Sequence, residues 1–582
     1  MATQDGSERL DTIIARFKEE DFTVSSDNVV LLGENKDRIG LFAEHKTATN
    51  YETGNAKRVF YLEGSPWEMG YAMGYLAAND VQLMTTKYID YAIWEMVTGA
   101  PPREGANSAS PAERDAHDFL IDLLYKMLTK EDAIAAAPPA IKEEVLGLVA
   151  GCADSPVFRK GKEKDKVKIE EKDIWVLNAG FDCLLAHLYA LRLPKLRDPK
   201  MRKLLASSIG CNSLALINGA AKDGPLFGRD FMFPTGGIFQ ELACMTIYNP
   251  ISDEHPSLLP MVSMHAPGMV GSIAAMNNCG VAAGVDVIRG ANSNPDDLGV
   301  NSLLLVRHAI GNSPSVDKAV DTIVDTPRGV TWLYPIAGAG SNGEKDQACV
   351  VEAGMTTNTI DFLSYPRDTM KKFMPSEKFL KDHQSTPQRK GAMVRNEEFE
   401  VPPEYISRYN PAFWKVMHKK MVPDAFTRLG YINRTHQEEN CPKAYYFAPV
   451  RALKHKVVIA SNHCVCPEMR LCSMDSWTGK LSGQAANDSQ WRYDELNHQT
   501  LVALQSGAIS YAKAKELIDY LSPYRKFPHY HAKNPKSTDG REMVIGGSVS
   551  LFDLKRRTVE SHFGYYCDDW IKLTLPKYVS QE

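Results

Sequence analysis

The residues best placed to do chemistry stand in one short run, "SSIGCNSLALINGAAKDGPLFGRDFMF", Ser207 to Phe233. A cysteine that follows a glycine at the head of a short apolar strand can attack the carbonyl of its own preceding peptide bond. Gly210 on the acyl side has no Cβ to obstruct the approach or to restrict the strained backbone that the shift requires. The product would be a new N-terminal residue, Cys211. Its thiol is then the nucleophile, and its own α-amine, with a reference pKa of about 8, can take the proton, so no separate histidine is required. A thiolate also wants positive charge and hydrogen-bond donors nearby, and Arg229, at the end of the strand that returns across the Gly-rich turn, could supply both. Acyl transfer through such a thioester further needs donors aimed at the developing oxyanion, each worth about 3–4 kcal/mol of transition-state stabilisation.

Other clusters do not carry comparable chemistry. "HCVCPEMRLC" brings together His463, Cys464, Cys466 and Cys472, but it lacks a C-x₂-C knuckle and has no second cysteine pair at finger-like distance, so no metal is expected. "GAGSNGEKD" lacks the Gly-Lys-Ser/Thr ending of a phosphate loop and reads as a hairpin turn. No cofactor is implied by any motif.

The elements that must position these residues fall into two regimes. From about 57 to 205, after an apolar strand "RVFYLEG", the pattern is mostly helical. The run "SPWEMGYAMGYLAANDVQLMTTKYIDYAIWEMV" opens with Ser65 as N-cap, Pro66 at the first helical position and Glu68 closing a capping box. Further helices are expected at "PAERDAHDFLIDLLYKMLTKEDAIAA", "PAIKEEVLGLVAG" and "EKDIWVLNAGFDCLLAHLYALRL", the last two joined by a solvated, lysine-rich link. After Ser208 come short apolar strands, among them "NSLALING", "PLFGRDFMF", "ACMTIYN", "VTWLYPIAG", "QACVVEAG", "HKVVIASNHC" and "EMVIGGSVSLFDL". Helices interrupt them at "NSLLLVRHAIGN", "SVDKAVDTIVD" and "YDELNHQTLVALQS". Strands joined by tight turns with helices in blocks indicate an α+β fold of antiparallel sheets covered by helices. The Pro-, Lys- and aromatic-rich segment at about 356–454 reads as an insertion that forms a lid, a binding wall or a surface elaboration.

Composition narrows the class. The chain has 582 residues, 44% hydrophobic and 24% charged, enough for two or three cores, and its formal charge of −5 argues against a general grip on nucleic acid. The polar N-terminus lacks the apolar core of a secretory signal and no apolar run reaches about 20 residues, which gives a cytoplasmic expectation with no membrane span. The 11 scattered cysteines suggest no disulfide framework.

Set in order, these motifs resemble those of the N-terminal nucleophile (Ntn) hydrolases, which include bile-salt hydrolase, penicillin V acylase and N-acylethanolamine acid amidase; the Gly-Cys pair is most similar to that of the autoprocessing isopenicillin N acyltransferase. "CNSLALINGAAKDGPLFGRDF" resembles the family's opening Cys, hairpin and "GRNxD", with Cys211 as nucleophile and Arg229 as the arginine near it. "AMNNCGVAAG" is similar to "MNEKG" and carries Asn277. "IASNHC" looks like the family's "TNH" and puts Asn462 where a side-chain donor to the oxyanion is supplied. "SQWRY" matches "S-x-x-R-Y" and gives Arg492, and "EGSPWEMGYAMG" resembles a stretch found before the nucleophile in the acyltransferase branch. Two positions depart from the pattern. Met232 stands where an Asp is usual, leaving as the nearest acid Asp230, which is adjacent to Arg229 and on the opposite side of the strand from it unless a bulge re-aims it; Asn278 replaces the usual Glu.

The resemblance implies a four-layer αββα sandwich with an N-terminal helical segment. Residues 1–56 would be an extension, 57–210 a helical α chain released by cleavage between Gly210 and Cys211, and 211–582 the β-chain core. It implies amide hydrolysis or acyl transfer on a small N-acyl substrate, an amine or acyl-CoA being the candidate co-substrate, at a site of Cys211, Arg229, Asp230, Asn277, Asn462 and Arg492. After self-cleavage the α and β chains would stay together, with self-association of the whole left open. Two alternatives stand beside it: a lipid hydrolase similar to the phospholipase B-like branch of the superfamily, and an uncut, non-catalytic binding protein, which Met232 and Asn278 make conceivable.

Overall fold

The apolar, β-branched runs after Ser208 form strands, and the strands are buried on both faces, which is why they read as continuous apolar segments and do not alternate with polar residues. The computed structural model describes residues 6–50, 53–98, 106–107, 109–128, 134–156, 168–190, 210–288, 293–340, 344–357, 376–405, 455–471, 485–519, 545–564 and 569–575. The strands are β1 (Phe22–Thr23), β2 (Val29–Leu32), β3 (Arg38–Thr49), β4 (Ala56–Gly64), β5 (Gly210–Leu216), β6 (Leu226–Pro234), β7 (Cys244–Pro250), β8 (Met261–His265), β9 (Ala274–Asn277) and β10 (Val281–Gly284). They continue with β11 (Asp286–Val287), β12 (Trp332–Gly338), β13 (Gln347–Ala353), β14 (Gln388–Arg389), β15 (Ala392–Asn396), β16 (Val457–Ala460), β17 (Ile545–Asp553), β18 (Thr558–Gly564) and β19 (Ile571–Thr574).

Two sheets result. The larger runs β1-β3-β4-β7-β8-β9-β10-β12-β13-β15-β14, with β2 beside β3 and β11 beside β12; the smaller runs β16-β5-β6-β17-β18-β19. Pairing is antiparallel apart from β4 and β7, which run parallel. Helices Pro66–Leu83, Ser302–Asn312 and Val316–Asp325 pack on the larger sheet, while β11, β12 and β13 meet β5 and β16 of the smaller one. Helices Ala485–Gln505 and Tyr511–Asp519 lie against the smaller sheet. Strand alternation divides the core accordingly: Ala274, Ala282 and Val350 join the apolar cluster that includes Leu214 and Phe227 of the smaller sheet, and their neighbours Ala275, Ala283 and Val351 join the cluster under the helices. The fold class is α+β, as the sequence indicates. Among the described residues no helix is long and apolar enough to cross a membrane.

Two segments differ from the expected organisation. Residues expected as an N-terminal extension supply β1, β2 and β3, and β3 pairs along β4, so the larger sheet is built partly from them. The described part of the expected insertion adds a helix, Glu377–Asp382, and then β14 and β15, the latter paired with β13; residues 358–375 and 406–454 lie outside the described residues.

The capping box at Ser65 forms as read: the Ser65 N–H donates to Glu68 Oε2 at 2.8 Å and the Glu68 N–H to Ser65 Oγ at 3.2 Å. The glycines of "WEMGYAMG" have a packing reason. Helix Pro66–Leu83 crosses helix Pro139–Asp154 so closely that a Cβ on Gly70, Gly74, Gly147 or Gly151 would fall inside contact distance of the carbonyl oxygens of Glu144, Leu148, Trp67 and Tyr71, respectively. Gly74→Ala therefore forces backbone apart, and a loss of about 2 kcal/mol is expected, read as a lower urea midpoint with an unchanged transition slope.

Candidate active site

Gly210 and Cys211 open β5, which lies between β6 and β16. The register sets Cys211 opposite Phe231, Asn212 opposite Asp230 and Ser213 opposite Arg229. Cys211, Ser213, Arg229 and Phe231 thus share one face of the smaller sheet, and Asn212 and Asp230 share the other. The two faces carry different polar networks, each with one buried arginine.

On the first face Arg229 is 1% exposed. Its Nη1 donates to Asn212 O at 3.3 Å and to Asp230 O, and its Nη2 to Val285 O. Nη2 also lies 2.9 Å from Asp286 Oδ1, an ion pair off the angle of a hydrogen bond, while Asp286 Oδ2 accepts from Ser213 Oγ at 3.4 Å. Burial opposes the Arg229 charge, but Asp286, the Cys211 sulfur and Asp230 together raise its pKa above the ordinary value, so it stays a cation against the thiol. Burial raises the Asp286 carboxyl, with Arg229 and Arg492 pulling it back. Gly284 makes room: a Cβ there would sit 2.8 Å from Arg229 Cδ and Nε.

On the second face Arg492, from helix Ala485–Gln505 and also 1% exposed, donates from Nη1 to Cys211 O and Asn212 Oδ1, both at 2.6 Å, and from Nη2 to Asn462 Oδ1 at 2.7 Å. Asn462 follows β16; its Oδ1 accepts the Cys211 N–H at 2.6 Å and its Nδ2 donates to Val287 O at 2.7 Å. Asn212 Nδ2 donates to Asp230 Oδ2 at 3.1 Å, and Ser461 Oγ to Asn212 Oδ1 at 3.1 Å. The loop bearing Asn462 is anchored by a second buried pair: Arg395 Nε donates to Glu352 Oε1 at 2.9 Å, and the same carboxylate accepts the N–H groups of Val465 and Cys466. His463 is buried against Ser489; burial and three arginines keep its pKa well below the usual value, and it is neutral.

Of the residues singled out from sequence, Cys211, Arg229, Asp230, Asn462 and Arg492 gather around β5. Asn277 does not. Its Nδ2 donates to Ile310 O and Ser313 O and its Oδ1 accepts from Cys279 N and Val281 N, so its side chain staples the β9–β10 turn to the helix that follows. Met232 stands opposite Gly210 and covers it: a Cβ on Gly210 would meet Met232 Cε at 2.8 Å. Cys211 itself is 1% exposed. Asn462 Oδ1 faces the Cys211 N–H, and its amide reaches toward an oxyanion only through the Nδ2–H that Val287 leaves over.

Two parts of the site escaped sequence reasoning. Asp286 is one, signalled by a single acid inside the apolar run "GVAAGVDVI". The other is a pocket, about 490 Å³ with the open space at its mouth included, that starts at Phe231, the strand partner of Cys211, and at Val285, and is walled by Phe233, Phe239, Trp332 and Phe181. Phe231 stacks on Phe233 at 5.6 Å and Phe181 meets Phe233 edge-on at 4.6 Å. These aromatics lie on two separate strands and two helices, so no local pattern announces them. Away from this site, the described residues place Glu143, Glu254 and His255 within metal-ligating reach of one another.

No family model matches the chain. An uncharacterised protein of Archaeoglobus fulgidus is 26% identical over 525 residues, covering 89% of this chain and 66% of its own length, so the chain spans just under two thirds of that relative. Among solved structures, the C2A mutant of conjugated bile acid hydrolase from Clostridium perfringens is similar at 10% identity with a TM-score of 0.25, over 62% of this chain and 92% of its own. A likeness of that size carries no argument about activity.

Asp230 gives the site a pH signature. Burial pushes its carboxyl up to about 7, against the Asn212 amide and the two arginines, with Asp519 adding to the rise. An unfolded aspartate titrates at about 4, so between about pH 4 and 7 the folded chain binds the extra proton, and stability falls as pH rises through that window. Asp230→Asn removes this slope: measured against wild type, its urea midpoint is expected to gain from about pH 5 to about pH 8, and a constant gap would show that Asp230 does not titrate with folding.

Proposed function

We propose that the chain is a self-cleaving cysteine amidohydrolase or acyltransferase of the Ntn type, acting on a small N-acyl substrate through a thioester on Cys211. One observation carries this reading: Arg229, Asn462 and Arg492, from three segments far apart in sequence, converge on the backbone and sulfur of a cysteine that follows a glycine. The packing of helices on sheet, sheet on sheet and sheet on helices supports the corresponding αββα sandwich.

In maturation the Cys211 sulfur attacks the Gly210 carbonyl carbon, the C–N bond breaks and the amide nitrogen takes the thiol proton; water then hydrolyses the thioester, leaving a Gly210 carboxylate and a free Cys211 amine. Asn462 and Arg492 hold the amide N–H and C=O of Cys211 in place for this step, and Arg229 sets a buried positive charge on the face of the sheet that Cys211 occupies. In the substrate reaction the amine of Cys211 serves as base, and the spare N–H of Asn462 Nδ2 is the candidate oxyanion donor. The aromatic cavity beside Phe231 fits an apolar acyl group. A second reading, an uncut binding protein, is favoured by the burial of Cys211 and the cover of Met232 over Gly210.

Mass spectrometry of the denatured wild-type protein beside Cys211→Ala separates the two. Two fragments in wild type alone, the second beginning at Cys211, are expected; one uncut chain in both would move the binding reading to the front.

A further inference from the structure

A second pocket, about 430 Å³ with the open space at its mouth included, lies on the helix-covered side of the larger sheet, remote from the face that Cys211 occupies. Its walls are largely apolar, including Met69, Ile141, Leu258 and Met261, and its polar part is Arg307, His308 and Asn312 of helix Ser302–Asn312 together with Glu144 and Tyr248. Arg307 is 8% exposed, lies 3.4 Å from the Tyr248 ring centre and donates from Nη2 to Glu144 Oε2 at 3.0 Å. Its Nη1 has no hydrogen-bond partner among the described residues. A buried donor left unmade costs about 1–3 kcal/mol, which a bound oxygen acceptor would recover. His308 accepts from Asn312 Nδ2 at its Nδ1, 3.2 Å away, so the neutral ring carries its proton on Nε2 and offers a second donor.

The glycine on this helix points the same way. Gly70, Gly74, Gly147 and Gly151 are imposed by backbone at their Cα, but a Cβ on Gly311 would meet only Leu258 Cδ2 and Met261 Sδ, both at an ordinary 3.8 Å. A glycine within a helix costs about 1 kcal/mol relative to alanine. Here the missing side chain keeps the cavity open, since Gly311, Leu258 and Met261 all line it.

We propose that this cavity is a second ligand site, taking a small monocarboxylic acid with an apolar body whose carboxyl oxygens are received by Arg307 and His308. The net charge of the Arg307–Glu144 pair is zero, so the site suits one weak acid group and not a phosphate or a dianion. The proposal stands apart from the chemistry of Cys211.

Octanoate is the probe, titrated by calorimetry into the full-length wild-type protein and into Gly311→Leu, which fills the cavity while keeping the Arg307–Glu144 pair. Saturable binding to wild type and at least a tenfold loss in Gly311→Leu, with the melting temperature of the variant not lowered, are expected. If Gly311→Leu fails to fold, His308→Phe, which removes the ring donor at a half-buried position, carries the test with a severalfold loss expected. Absence of binding to wild type, or equal affinity in the folded variants, which would place octanoate elsewhere, overturns the proposal.

Discussion

Two guanidinium groups buried on opposite faces of one strand set the terms for the rest of the molecule. Arg229 and Arg492 are as inaccessible as any core leucine, and a buried charge without partners costs several kcal/mol. Each must therefore be ringed by oxygens that β5 alone cannot provide. Arg229 takes them from β6 and from the β10–β11 segment of the facing sheet; Arg492 takes them from β5 and from the loop after β16. The sheets have to stack with β11 over β5, and helix Ala485–Gln505 has to dock on the far side, for both demands to be met together. The cysteine sits where those demands cross.

Much of this was legible in the sequence because it is local. The capping box at Ser65, the strands around Gly210 and Arg229, and the alternation that separates Asp230 from Arg229 follow from neighbouring residues alone. Asn462 and Arg492 were found through ordered motifs, and the structure supplies the physical link between them, one shared carbonyl oxygen. Asn277 was assigned to the same centre on a motif whose asparagine closes a turn. Asp286 and the aromatic cavity were missed because their meaning depends on which strands face each other, and periodicity within a strand says nothing of that.

A common device supports both the centre and its surroundings: carboxylates that serve several partners at once. Glu352 binds Arg395 and two consecutive backbone N–H groups, which fixes the loop that carries Asn462. Asp286 serves Arg229 and Ser213 in the same way across the two sheets. Such multiply bonded acids sit at positions where a simple hydrophobe would pack as well but would leave the chain free to slide in register.

The parallel pairing of β4 with β7 carries a consequence for the biogenesis of the molecule. Strands contributed from before residue 210 are stitched into a sheet whose remaining members come from after it, and Lys57 reaches across to donate to the carbonyl of Phe563 at 2.6 Å. A nick between Gly210 and Cys211 would leave two polypeptides interleaved as one body, inseparable without denaturant. The later piece carries all six strands of the smaller sheet but only part of the larger one: made separately, it would expose the edge of β7 as a template for aggregation. Continuity of the chain lets β4 meet β7 without a bimolecular step.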